Sequence, residues 1–161
     1  MPVKLVMLGV SHSHAHGNMS AAQVVPEVQI LGIWDPDGAL ARQRQVQWRD
    51  GHPDLVVFES AEQALSAPGV EGVIVDGPVQ ENLTFAGLAL ANGKHVLLEK
   101  PAGMNLDEFR NLHALARKHA LLIQMGYILR YNAGFVLARR LKEAGALGEV
   151  FSVRWRISWS P

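Results

Sequence analysis

Six short apolar runs, most of them apolar at consecutive rather than alternate positions, constrain this chain more than any other feature. They are Val3–Val10, Val28–Trp34, Leu55–Phe58, Val70–Val75, His95–Leu98 and Leu121–Met125. A strand with one wet face alternates apolar and polar residues, whereas an unbroken run suits a strand covered on both faces, as in a parallel sheet. Helical patterns lie between the runs, at Ala15–Val25, Asp37–Trp48, Ala61–Ser66, Gln80–Ala91 and Asn105–His119. The last is the clearest: Asn105 stands as a cap, Glu108 follows in a capping-box position, and Leu106, Phe109, Leu112 and Ala116 share one face. Strands separated by helical crossovers predict an α/β fold, a doubly wound parallel sheet of the Rossmann type. Right-handed crossovers place its ligand crevice at the carboxyl ends of the strands.

A sixth helix is expected over Ala133–Ala144, stopped by Gly145 as a C-terminal glycine. Glu149–Trp159 then alternates, with Phe151, Val153, Trp155, Ile157 and Trp159 on one side, and reads as a half-buried strand. Such a strand, left unpaired, would recruit the edge of a second copy, so homo-oligomerisation through it is expected; the chain's own sheet is the other possible partner.

Composition excludes several classes. The 161 residues carry 15 Lys+Arg against 15 Asp+Glu, which argues against a dedicated nucleic-acid binder. The absence of cysteine removes disulfides, iron–sulfur clusters and thiolate metal sites. No apolar run approaches the roughly 18 residues of a membrane helix, and no cleavage site follows Met1-Pro2-Val3-Lys4. These features predict no membrane partner and a cytoplasmic location.

The chemistry concentrates where strands end. The first strand–helix turn is Gly9-Val10-Ser11-His12-Ser13-His14-Ala15-His16-Gly17. In a nucleotide-binding fold this turn meets a pyrophosphate with backbone N–H groups and the helix N-terminus. Of the G-x-G-x-x-G fingerprint only Gly9 is in place; Ser11 and His14 hold the other two positions, and Ser11 and Ser13 offer hydroxyl donors. A polar turn that merely caps the first helix is the competing reading. Asp35 ends the second run, about 20 residues on, where a carboxylate accepts from the adenosine ribose and repels a 2′-phosphate. This favours NAD over NADP, with helix capping as the alternative for Asp35 and the favoured role for Asp37. Alternate histidines at 12, 14 and 16 suit a metal. With Asp76 as the single further candidate ligand, the sequence predicts none, and His12 and His14 are assigned to the phosphate turn. His52, His113 and His119 are read as surface residues. Glu99-Lys100-Pro101 directly follows a buried strand, where a lysine ammonium can hold a substrate hydroxyl; a surface ion pair is the alternative.

Gly93-Lys94-His95-Val96 followed by Glu99-Lys100-Pro101 resembles the most specific motif of the glucose–fructose oxidoreductase, inositol dehydrogenase and rhizopine-catabolism (Gfo/Idh/MocA) family. Pro78 and Asn82 fall where that family has a proline and usually a histidine, and Gly126-Tyr127 through Val150 looks like its passage out of the Rossmann domain. The resemblance implies a dinucleotide-binding domain over residues 1–125, with residues 126–161 opening a second domain. It implies hydride transfer between a sugar or polyol CH–OH and a nicotinamide, with Lys100 as the catalytic residue on the reacting hydroxyl. Cofactor binding would fall to Gly9, Ser11, His12, Ser13, His14, Asp35, Gly77, Pro78, Asn82, Glu99 and Pro101. The acid–base pair that the family's second domain usually supplies would lie beyond Pro161, so the chain by itself is expected to be inactive, a fragment, a truncated product or a short non-catalytic relative. A module that binds a dinucleotide or a partner, and a metal-dependent hydrolase built on the His-x-His turn, are the alternatives from other classes.

Overall fold

A computed structural model describes residues 1–156. Residues up to Gly126 form one compact unit and a second begins at Tyr127. In the first unit β1 (Val3–Leu8), β2 (Val28–Trp34), β3 (Val56–Val57), β4 (Val70–Val75), β5 (His95–Leu98) and β6 (Ile123–Met125) make one parallel sheet in the order β3-β2-β1-β4-β5-β6. The helices between them are α1 (Ala15–Gln23), α2 (Gly38–Trp48), α3 (Ala61–Ser66), α4 (Asn82–Ala91) and α5 (Leu106–Lys118). The expected doubly wound architecture is therefore present, and the strand order reverses between β1 and β4, which opens the crevice there.

Consecutive apolar residues in β1 divide between two cores. Val6 and Leu8 join Val73, Val75, Val96 and Leu98 beneath α3, α4 and α5. Met7 faces the other way, with Ile33 and Ile74, onto Ala15 and Met19 of α1 and Ala41 and Trp48 of α2. Both faces are covered, so neither admits polar side chains, and the chemistry is pushed to the strand ends.

Where the expected boundaries shift, local hydrogen bonding decides. β1 stops at Leu8 because Gly9 turns to φ +79° and the Val10 N–H leaves the ladder for the Asp35 carboxylate, 2.8 Å away. α2 starts after Asp37, whose carboxylate accepts from Ala39 and Leu40 N–H, the capping role expected of it. Asn105 caps α5 by accepting from Asp107 and Glu108 N–H. On α5 the expected apolar face is cut short. Leu112 and Ala116 are buried, but Leu106, in the first turn, is 60% exposed.

The second unit contains a 3-10 turn at Ile128–Tyr131 and α6 (Ala133–Glu143), capped by Asn132 and followed by Gly145 at φ +72°. The strand expected over Glu149–Trp159 is not found: residues 149–156 pair with no strand, and 157–161 lie outside the described residues. Alternation supplies a face, but a strand also needs a neighbouring backbone for its N–H and C=O groups. What Trp155 does instead is stack on Phe135, ring centroids 4.0 Å apart.

Leu112→Ala should cost about 2–5 kcal/mol, the range for truncating a buried leucine. Leu106→Ala should stay within about 0.5 kcal/mol. Urea denaturation of the two variants side by side measures the difference, and equal losses would contradict this burial.

Candidate functional site

The rim above the carboxyl ends of β1, β2, β4 and β5 is assembled by backbone contacts first. Gly9 N–H donates to the Trp34 carbonyl at 2.8 Å, and Asp76 N–H to the Leu8 carbonyl at 3.1 Å. His12 N–H bonds the Asp76 carbonyl at 3.0 Å, tying the first turn to the end of β4. At Gly9 a side chain has no room, because a Cβ there would overlap the Gly77 backbone. Gly9 thus combines a left-handed φ with a close approach, and both require glycine.

Onto this frame the site residues fall as follows. Asp35 is 5% exposed, and its two oxygens accept from Val10 and Asp37 N–H, each at 2.8 Å. It therefore braces the first turn from inside. Asn82, expected to touch the cofactor, is wholly buried and accepts from Gly77 N–H at 3.1 Å, which ties it to the loop after β4. A residue at the first turn of α4 points back under β4, which a one-dimensional motif does not register. Ser11 and Ser13 are exposed, and their N–H groups meet no backbone or side-chain acceptor among the described residues. With the unpaired N–H groups that begin α1, they fit an anionic pyrophosphate. The His14 side chain makes no cap bond to α1.

Glu99 is 3% exposed and does not pair with the Lys100 ammonium. Neighbouring residues of an extended segment point to opposite sides. Glu99 Oε1 accepts from the Lys100 backbone N–H at 2.7 Å and lies 3.2 Å from His14 Nδ1. Gly126 leaves the space for this carboxylate, since a Cβ there would come within 2.7 Å of Glu99 Oε2. Lys100 is half-buried, and among the described residues its ammonium enters no ion pair. The surface ion-pair reading of this motif therefore fails.

A second carboxylate sits deeper. Asp76 is fully buried; its Oδ2 accepts from Asn18 Nδ2 at 2.8 Å. Its Oδ1 lies 3.3 Å from His12 Nδ1 yet receives no hydrogen bond. That nitrogen already accepts from the His14 backbone N–H at 3.2 Å, so the two facing atoms both present lone pairs. Burial is the main cause of the Asp76 carboxyl being pushed up to about 6, opposed by the Asn18 bond and reinforced by Glu99. Burial also lowers His12, against the pull of Glu99. His14 and Asn18 stand four residues apart, the spacing that puts two residues on one helical face, so the sequence held a signal for Asn18 that went unused. The expectation of no metal site rested on a single available carboxylate. Its premise is corrected here, because β5 brings Glu99 beside His12 and His14, with one ligand atom of each within 4.8 Å of the others.

Residues 3–127 match the oxidoreductase family GFO_IDH_MocA, with an NAD-binding Rossmann fold. The chain belongs to this family. Among relatives of GFO_IDH_MocA type, an inositol 2-dehydrogenase of Streptomyces avermitilis is 31% identical over 147 residues, covering 89% of this chain and 41% of the relative. The scyllo-inositol dehydrogenase of Lactobacillus casei, solved with NAD(H) and scyllo-inositol, superposes with a TM-score of 0.79 at 20% identity, over 92% of this chain and 43% of that one. A 3-ketoreductase of Actinomadura kijaniata, solved with TDP-benzene and NADP, gives 0.77 at 23% identity, over 92% and 46%. The chain spans about two-fifths of the length of the curated relatives it matches. No helix among the described residues is long and apolar enough to cross a membrane.

The raised Asp76 carboxyl has a signed consequence. The folded chain keeps a proton that the unfolded chain gives up near pH 4, so stability falls as pH rises from about 4 to about 6. Asp76→Asn should flatten that fall and add about 2–3 kcal/mol at pH 7. Urea denaturation across a pH series with chelator present checks it; an unchanged slope in the variant would refute the assignment.

Proposed function

We propose that the chain is the cofactor-binding part of an NAD-dependent oxidoreductase that moves a hydride between a sugar or polyol CH–OH and the nicotinamide. The observation that carries this is the Lys100 ammonium, free of any carboxylate among the described residues, at the end of β5 beside the Gly9 turn in a chain of this family. The activities of the inositol-acting relatives support the substrate class.

Each residue then has a task. Ser11 and Ser13 N–H groups, with the start of α1, receive the pyrophosphate. Asp35 faces the adenosine ribose while holding the Val10 N–H. Glu99 and Pro101 border the nicotinamide side, and Gly77, Pro78 and the buried Asn82 fix the opposite loop. When bound, the dinucleotide supplies the hydride acceptor. Lys100 orients the reacting hydroxyl and offsets the negative charge that grows on its oxygen. Removal of that proton falls to a further base held within hydrogen-bond reach of the hydroxyl.

A preference for NAD follows from the carboxylates of Asp35 and Asp37 at the end of β2, separated by Pro36. Arg44 favours the second reading, NADP, because its guanidinium lies against the first turn with Nε 3.3 Å from the Val10 carbonyl. Calorimetric titration with each dinucleotide decides between them. NAD should bind about fivefold or more tightly than NADP, a difference of about 1 kcal/mol. Asp35→Ser should narrow the gap. Tighter NADP binding that is lost in Arg44→Ala would establish the second reading, and failure of both dinucleotides to bind would remove the proposal.

A further inference from the structure

We infer that His12, His14 and Glu99 form a binding site for a divalent transition cation. Two imidazoles and a carboxylate meeting from three directions are a donor set for zinc-class ions. They come from two parts of the chain: the histidines from the β1–α1 turn and Glu99 from the end of β5.

One distance within the cluster fits such an ion. Bonds of about 2.0–2.1 Å in a tetrahedral arrangement set donor atoms about 3.3 Å apart. His14 Nδ1 and Glu99 Oε1 are 3.2 Å apart. That separation is longer than the usual 2.7–2.9 Å of a charge-assisted N–H···O bond.

An independent observation comes from Asp76. Its Oδ1 is buried, 3.3 Å from His12 Nδ1 and without a hydrogen bond. An unpaired carboxylate oxygen away from water is costly, and a cation held by the neighbouring cluster offsets that cost. Glu99 adds a second buried carboxylate within the cluster itself. The site lies in the turn itself and does not depend on which dinucleotide, or any, is bound.

The test uses the full chain, purified without a histidine tag, stripped with chelator and free of dinucleotide. Zn2+ is titrated by calorimetry and Co2+ by its visible absorption. The expected result is one saturable equivalent per chain and a cobalt spectrum of low coordination number. Binding should weaken at least tenfold in His14→Gln and in the near-isosteric Glu99→Gln, with His119→Ala unchanged. Circular dichroism and thermal melting confirm that each variant is folded. Absence of a saturable equivalent would overturn the inference, as would a cobalt site that survives His12→Ala/His14→Gln or disappears in His119→Ala.

Discussion

Gly9 lies against Gly77 with no space for a methyl group between them, and the rim depends on that contact. It brings the turn after β1 down onto the end of β4 at the point where the strand order reverses. Once there, His12 N–H reaches the Asp76 carbonyl and Val10 N–H reaches Asp35, so the turn is held by backbone donors as well as by the buried Val10 side chain. Asn82 secures the other side by accepting from Gly77. A side chain at residue 9 would force the two loops apart and uncouple the neighbouring hydrogen bonds together.

The rim departs from a plain glycine-rich turn in its electrostatics. Glycines would leave β4 and β5 to end in carboxylates facing solvent or ligand. Here His12 and His14 cover Asp76 and Glu99, and the two carboxylates are buried. Lys100 is consequently free of its sequence neighbour and available at the crevice. The same covering concentrates negative charge behind the turn. This one arrangement leads both to the assignment of Lys100 to the substrate and to the cation site behind it.

Much of the fold was legible because burial on both faces leaves a direct imprint. Val28–Trp34, Val70–Val75, His95–Leu98 and Ala61–Ser66 occupy their expected spans. Caps were legible for the same local reason: Asp37 and Asn105 accept from N–H groups two and three residues away. Leu106 was misjudged because periodicity gives a direction around the helix but not how far along it the neighbouring elements extend. Residues 149–156 form no strand because alternation supplies a face but no partner, and the rest of that span lies outside the described residues.

The sequence by itself determined the alternation of elements, the parallel sheet, the helix caps and the family, since each rests on residues near one another in the chain or on a contiguous motif. The tertiary structure alone decided which polar groups meet. Glu99 beside His14, Asp76 behind His12 and Asn82 beneath Gly77 join residues from separate crossovers. The distance between such residues is set by strand order and by which glycines permit close approach, and neither is encoded in spacing along the chain.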